Sequence, residues 1–141
     1  MAHFAEIDED GIVLRVLVVP DEQEHRGQEF LSDDLGLGGT WLQTSYNTRK
    51  NEHPNGTPLR KNYAGIGFQY REDIDGFVPP KRFESWVLDE ERGVWIPPIP
   101  RPQNRDSESV VWDEQSETWT DKSVPQKWNP HTGEWENINQ P

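Results

Sequence analysis

Four times in its second half the chain repeats one step: a large apolar residue, six mostly polar residues, then an aromatic ring. The segments are Tyr70 to Phe77 (Y-R-E-D-I-D-G-F), Leu88 to Trp95 (L-D-E-E-R-G-V-W), Trp112 to Trp119 (W-D-E-Q-S-E-T-W) and Trp128 to Trp135 (W-N-P-H-T-G-E-W). Internal repetition of this kind constrains a fold before any motif does. Hairpin loops of four or five residues are commonly built on a type I turn with a left-handed residue near the return. Six intervening residues then set the two flanking side chains opposite each other on one face of a ribbon. Asn129-Pro130-His131-Thr132-Gly133 has the best turn chemistry. Asn starts the turn, Pro fixes φ, and Gly takes the left-handed position.

Such a ribbon gains roughly 0.2–1 kcal/mol from its ring pair and is marginal alone in water. The ribbons are joined by Val78-Pro79-Pro80, by Ile96-Pro97-Pro98-Ile99-Pro100-Arg101-Pro102 and by Val124-Pro125. Pro-rich links are extended and stiff, so the expectation is a string of separate ribbons whose rings are buried on another protein. The chain holds seven Trp but only 31% hydrophobic residues, against roughly 45–50% apolar usage in ordinary domains. Few aliphatics and many plates suit docking better than a deep core, and Trp leads among interface hot spots. The candidate partner-binding residues are Tyr70, Phe77, Trp86, Trp95, Trp112, Trp119, Trp128 and Trp135.

The first 70 residues read differently. Phe4-Ala5-Glu6-Ile7 starts a strand, Asp8-Glu9-Asp10-Gly11 is a turn, and Ile12–Val19 is a β-branched return strand closed by Pro20. One helix follows. Asp21 is the expected cap, with Glu24 three residues on as in a capping box. Phe30, Leu31 and Leu35 form its apolar face, Gly36 and Gly38 end it, and Gly27 weakens it by about 1 kcal/mol relative to Ala. Trp41–Tyr46 and Tyr63–Phe68 have strand character, with the turn-rich Asn51–Pro58 exposed between them. The fold class expected is mainly β with one short helix. A small α+β unit of hairpin, helix and strand spans 1–70, and Trp-rich β-hairpin repeats joined by Pro-rich linkers span 70–141.

The net charge of −12 argues against nucleic acid and anionic membranes as partners. Residues 1–38 carry two basic and ten acidic side chains, a net of −8. Residues 39–70 carry four basic and one acidic, a net of +3. The basic island (Arg49, Lys50, Arg60, Lys61) reads as a solvated loop or as a contact for acidic surface on a neighbouring copy. There is no cysteine, hence no disulfide or thiolate metal site. No basic-then-apolar leader is seen, and the apolar run Ile12–Pro20 is too short to span a bilayer.

Nothing in the sequence spells out catalysis or a cofactor site. His3, His25, His53 and His131 fall in different elements without ligand spacing. Asp8/Asp10 and Asp73/Asp75 do not match a calcium loop and have sufficient reason as turn residues. Gly65-Ile66-Gly67 lacks the rest of a dinucleotide fingerprint, and no nucleophile elbow, phosphate loop or zinc-protease motif occurs.

Several long stretches resemble a family of uncharacterised structural proteins of marine and cyanobacterial tailed bacteriophages. They are His3-Phe4-Ala5-Glu6-Ile7-Asp8 with the Val-rich strand after it, Glu24-His25-Arg26-Gly27-Gln28-Glu29-Phe30-Leu31, and Gly39-Thr40-Trp41-Leu42-Gln43-Thr44-Ser45-Tyr46-Asn47. Arg60-Lys61-Asn62-Tyr63-Ala64-Gly65-Ile66-Gly67 and Ser85-Trp86-Val87-Leu88-Asp89-Glu90, with Trp95 and Pro97-Pro98, complete them. The resemblance covers roughly residues 1–120 and leaves the Trp128–Trp135 hairpin as an extra copy. It implies a virion protein made in the host cytoplasm, with capsid or tail proteins as partners and no catalytic residues to carry over. The expected function is non-enzymatic, most readily capsid decoration or cement. The alternatives are a tail or tail-fibre component and a carbohydrate-binding adhesion module stacking sugars on exposed Trp faces; a homo-oligomer is compatible with either structural role.

Overall fold

Asp8 sets the first chain reversal. Its Oδ1 accepts the backbone N–H groups of Asp10 and Ile12, both at 2.9 Å, the local bonding that makes Asp a turn residue. The strands it joins, β1 (Ala2–Ile7) and β2 (Val13–Val19), pair antiparallel. Ile7 faces Val13 while Glu6 faces Arg15, so Leu14 is the extra residue of a bulge. β3 (Thr40–Thr44) pairs on the other side of β1, giving the order β2-β1-β3. The structure, a computed structural model, describes residues 1–105 and 108–138.

Strand alternation gives this sheet two apolar faces. One carries Ala2, Phe4, Leu17, Val19 and Trp41 against Leu31 and Phe30 of the helix. The other carries Ala5, Ile7, Val13, Val16 and Leu42 against Ala64, Phe68, Tyr70 and Phe77. A sheet covered on both faces explains why β2 is almost continuously apolar.

The helix, α1, occupies residues 21–34. It winds as a 3₁₀-helix over Asp21–Arg26, as an α-helix over Gly27–Glu29 and with a π-helical end over Phe30–Asp34. The expected capping box does not form. Pro20 holds the cap position and no side chain caps the first turn; Asp21 instead takes the amino group of Met1 at 2.7 Å. Of the expected apolar face, Leu31 is buried and Phe30 partly so, but Leu35 is exposed, because the helix ends in left-handed Gly36 and Gly38. Gly27 has a packing reason. The Phe4 ring lies where its Cβ would stand, so only a glycine lets the helix approach the sheet.

Residues 63–68 are not a strand, contrary to expectation. Phe68 N–H bonds to Gly65 O at 3.0 Å and Gly67 has φ +89°, so the backbone turns there. The turn docks on the start of β2: Gly67 N–H donates to Val13 O at 2.9 Å and Val13 N–H to Phe68 O at 2.8 Å. β4 (Gln69–Arg71) and β5 (Gly76–Val78) then form the first repeat hairpin, β6 (Val87–Asp89) and β7 (Val94–Ile96) the second. β8 (Val110–Asp113), β9 (Thr118–Asp121), β10 (Gln126–Asn129) and β11 (Glu134–Asn137) form one sheet in the order β11-β10-β9-β8. Among the described residues the fold is mainly β with a single short helix, as expected.

Two compact units result. The first is Met1–Pro80 with Leu88–Trp95, the second Lys81–Val87 with Ile96–Pro141. The expected boundary at residue 70 therefore falls inside the first unit. Residues 106–107 and 139–141 of the expected repeat stretch lie outside the described residues.

Gly27→Ala tests the helix contact. Its methyl has to displace the Phe4 ring, so the substitution lowers stability by about 1–3 kcal/mol, as overpacking does, although Ala is the better helix former. Urea unfolding reads the difference; a neutral or stabilising outcome contradicts the packing described.

Candidate functional site

The ring pairs form as the sequence step predicts. Tyr70 faces Phe77, Trp112 faces Trp119 and Trp128 faces Trp135 across their hairpins. Their centroids lie 5.4, 5.3 and 5.4 Å apart with tilted or edge-on planes, the spacing aromatic quadrupoles favour.

One backbone feature recurs in all four repeats. The residue two before the second ring is left-handed: Asp75 (φ 47°), Gly93 (φ 70°), Glu117 (φ 52°) and Gly133 (φ 73°). In the second and fourth hairpins the same closing bond is made, from Gly93 N–H to Asp89 O at 2.7 Å and from Gly133 N–H to Asn129 O at 2.9 Å. The residue after the first apolar position starts the turn. Asp89 Oδ1 accepts the N–H groups of Glu91 and Arg92, and Asn129 Oδ1 those of His131 and Thr132.

The last two hairpins do not remain separate. Thr120 faces Lys127 and Asp121 faces Gln126, so the Val124-Pro125 link lies in a reversal between strands rather than in a spacer. This register sets Trp112, Trp119, Trp128 and Trp135 level across the sheet on one face.

The row is covered mainly by its own unit. Trp86 stands 6.1 Å from Trp112 and 6.5 Å from Trp119, with Phe83 5.2 Å behind it. The Pro-rich segment lies along the rest. Trp119 Nε1 donates to Ile99 O at 2.9 Å, and the Arg101 guanidinium sits 5.5 Å over the Trp119 ring. Arg105 sits 4.4 Å over Trp135, whose Nε1 donates to Asn104 Oδ1 at 3.1 Å. A Pro-rich strip has little conformational freedom to lose on ordering, which suits it to cover a flat aromatic surface.

This corrects the expectation that the rings are buried chiefly on a foreign surface. Phe77 (0%), Trp112 (7%) and Trp119 (7%) are buried by their own chain. Tyr70 is half-buried among Ala5, Val13 and Phe77. Trp95 is half-buried with its Nε1 on Pro79 O at 2.8 Å, and Trp86 is half-buried with its Nε1 unbonded among the described residues. Trp128 and Trp135 are likewise half-buried, at the β10–β11 end of the row. Beside them lies a shallow groove of about 340 Å³, lined by Trp128, Lys127, Asn129, His131 and Glu136 among others.

Two polar residues hold these hairpins in place, and sequence reasoning did not single them out. Asn62, buried in the first unit, donates from Nδ2 to Phe77 O and Gly93 O, both at 2.9 Å, and its Oδ1 accepts Lys50 N–H at 3.0 Å. Asp121, buried in the second unit, accepts Ser123 Oγ at 2.6 Å, Ser123 N–H at 3.0 Å and Arg105 Nη1 at 3.0 Å. The Ser123 hydroxyl first, then its N–H and Arg105, pull the Asp121 carboxyl down to about 2. Glu114 is lowered too, chiefly by the Ser85 hydroxyl and then the Trp112 indole.

The basic island is only partly free for a partner. Arg60 Nη1 donates to Gln43 O at 2.8 Å and its Nε meets Asp75 at 3.2 Å, while Lys61 Nζ donates to Glu91 O at 3.0 Å. Arg49 and Lys50 are exposed. His3 stacks with Tyr46 at 5.8 Å, and His53 Nδ1 accepts Asn55 N–H at 3.1 Å. Among the described residues no group of three or more His, Cys, Asp or Glu side chains is placed to hold a metal ion, and no helix is long and apolar enough to cross a membrane. No protein-family model, curated protein or solved structure matches the chain.

Two outcomes follow from these turns. Glu117→Gly relieves a left-handed non-glycine residue and stabilises the second unit by about 0.5–1 kcal/mol, whereas Gly133→Ala destabilises it by about 1 kcal/mol; denaturant midpoints measure both. Because the folded Asp121 carboxyl titrates below its unfolded value near 4, its stabilisation is full above pH 4 and is lost as pH falls towards 2. Acid titration of Asp121→Asn therefore gives a flatter stability profile across that window than the unaltered chain.

Proposed function

We propose that the chain is a non-enzymatic structural protein of a tailed-phage virion that holds neighbouring particle proteins, most readily as capsid decoration or cement. The reading is supported by the phage-family resemblance of the long motifs. The observation that carries it is the β10–β11 end of the tryptophan row. Trp128 and Trp135 are only half-buried on the β10–β11 hairpin, whereas Trp112 and Trp119 of the β8–β9 hairpin are buried. A rigid sheet presenting two prearranged rings binds without the cost of ordering them, the advantage of preorganised aromatic anchors. The binding surface in this reading is narrower than the eight residues the sequence offers. Trp128 and Trp135 contact the partner; Phe77, Trp112 and Trp119 shape the units.

A second reading has one observation in its favour. The groove beside Trp128 combines an aromatic wall with Asn129, His131 and Glu136, a composition that also suits a sugar ring. A glycan array read with the intact chain and with Trp128→Ala separates the two, because protein docking predicts no glycan signal.

Particles purified from infected cells and split into heads and tails supply the direct test. The chain is found by mass spectrometry in the head fraction, near-stoichiometric with a capsid protein. Trp135→Ala reduces its occupancy at least tenfold and leaves the unfolding of the first unit unchanged. Absence from both fractions refutes the virion reading, and recovery with tails places it there instead.

A further inference from the structure

Arg15, Arg26, Arg60, Arg71, Arg92 and Arg105 each meet a carboxylate of their own chain. Arg49 and Lys50 do not. Both are exposed, and among the described residues neither side chain has an ion-pair or hydrogen-bond partner. They line a cleft of about 410 Å³ in the first unit, together with Tyr63, Ala64, Phe68 and Val94. Among the described residues no carboxylate lines it. A concave, mostly apolar lining with a few placed polar groups is the usual make-up of a binding site.

The two cations sit on a fixed loop. Arg49 and Glu52 exchange backbone N–H to O bonds of 2.9 Å in both directions, without an ion pair between their side chains. Lys50 N–H donates to Asn62 Oδ1 at 3.0 Å and Asn51 N–H to Lys61 O at 2.7 Å. These bonds hold Lys50 (φ 51°) and Asn51 (φ 62°) in the left-handed region, which residues other than glycine seldom enter.

The same unit carries a surface of the opposite kind at the end of α1. Leu35 (53%) and Leu37 (39%) are exposed there. Asp34 is taken by Arg26 at 2.8 Å, but Asp33 is exposed and its carboxylate has no partner among the described residues. This turn is also fixed. Leu35 N–H bonds to Phe30 O at 2.9 Å, Leu37 N–H to Leu31 O at 3.1 Å and Gly38 N–H to Ser32 O at 3.0 Å. Two leucines beside a free carboxylate match an apolar cleft beside two free cations in polarity and in sign, and both are ordered before they meet.

We propose that the cleft beside Arg49 and Lys50 receives the Asp33–Leu37 turn of a second copy of this chain. Leu35 and Leu37 cover Tyr63, Phe68 and Val94, and Asp33 meets the two cations. α1 packs on one face of the three-stranded sheet, and Ala64 and Phe68 pack on the other. Turn and cleft therefore lie on different sides of the unit, and the contact joins unlike surfaces. Such a contact adds copies into a ring or an open chain and does not close as a symmetric pair. The net charge of −12 on each copy opposes association only weakly at physiological salt, where charges more than about 8 Å apart are screened. The site uses none of the tryptophans, so its failure leaves the reading of the Trp row standing, and the reverse holds.

Sedimentation velocity of the full chain at physiological salt, over roughly a hundredfold range of micromolar concentrations, tests it. The proposal expects a mean mass that rises with concentration past that of a dimer, unchanged in Trp135→Ala. Leu35→Ser/Leu37→Ser weakens association at least tenfold. So do Asp33→Lys alone and Arg49→Glu/Lys50→Glu alone, all at exposed positions. Mixed in equal amounts, these last two variants associate again, because Asp33 of one meets the unaltered cleft of the other. A chain that stays monomeric throughout overturns the proposal, as does one that stops at a dimer. A mixture no more associated than its separate components overturns the pairing of turn and cleft. Association abolished by Trp135→Ala places the contact on the tryptophan row instead.

Discussion

Every hairpin of the second half depends on one backbone constraint: a left-handed residue two positions before the returning ring. With Asp75, Gly93, Glu117 and Gly133 in that conformation, the chain reverses so that the flanking side chains meet on one face. The observed ring pairs at 5.3–5.4 Å follow from it. Two of the four positions accept the strain of a non-glycine residue. At Asp75 the carboxylate is used by the Tyr70 hydroxyl at 2.6 Å and by Arg60. Glu117 is exposed in its turn.

Level pairing across β9 and β10 turns two marginal ribbons into a sheet with one aromatic face. A chain poor in aliphatic residues then builds its second core from indoles, with Val110, Phe83 and Ile99 filling between them. Indole rings carry a polar handle that needs a partner when buried. Trp112 finds Glu114 Oε1 at 2.9 Å and Trp119 finds Ile99 O. The arginines of the Pro-rich segment lie over Trp119 and Trp135, where the cation is attracted by the ring face. The first unit solves the same problem by a different route, a sheet sandwiched between a short helix and the first repeat hairpin.

The hairpins, the β1–β2 turn and the single helix were legible because each is announced locally, by spacing, turn residues or glycine. Gly93 and Gly133 mark their left-handed positions in the sequence, and Asp75 does so more weakly as a residue type that tolerates that conformation; Glu117 does not. What the Pro-rich segments do is not legible in the sequence, for a physical reason. Proline composition reports stiffness and extension, not what the strip lies against, and here residues 96–105 lie on tryptophans of their own unit. The same blindness to non-local contacts hid Asn62, whose amide reaches Phe77 and Gly93 far along the chain. Tyr63–Phe68 has strand composition, yet the left-handed Gly67 bends it into a dock for β2. Of the eight aromatic candidates, sequence pairs Tyr70 with Phe77, Trp112 with Trp119 and Trp128 with Trp135 as observed, but assigns ring burial to a partner, because burial depends on which segments return over the rings.

Trp112 and Trp119 are enclosed by their own unit, whereas Trp128 and Trp135 are only half-buried. Hydrogen exchange of the indole N–H groups, followed by NMR on the full chain, reads this directly. Trp112 and Trp119 are expected to exchange at least a hundredfold more slowly than Trp135, whose bond to Asn104 is exposed. Equal, rapid exchange at all three would mean the hairpins stand apart in solution, and the enclosed row would not exist.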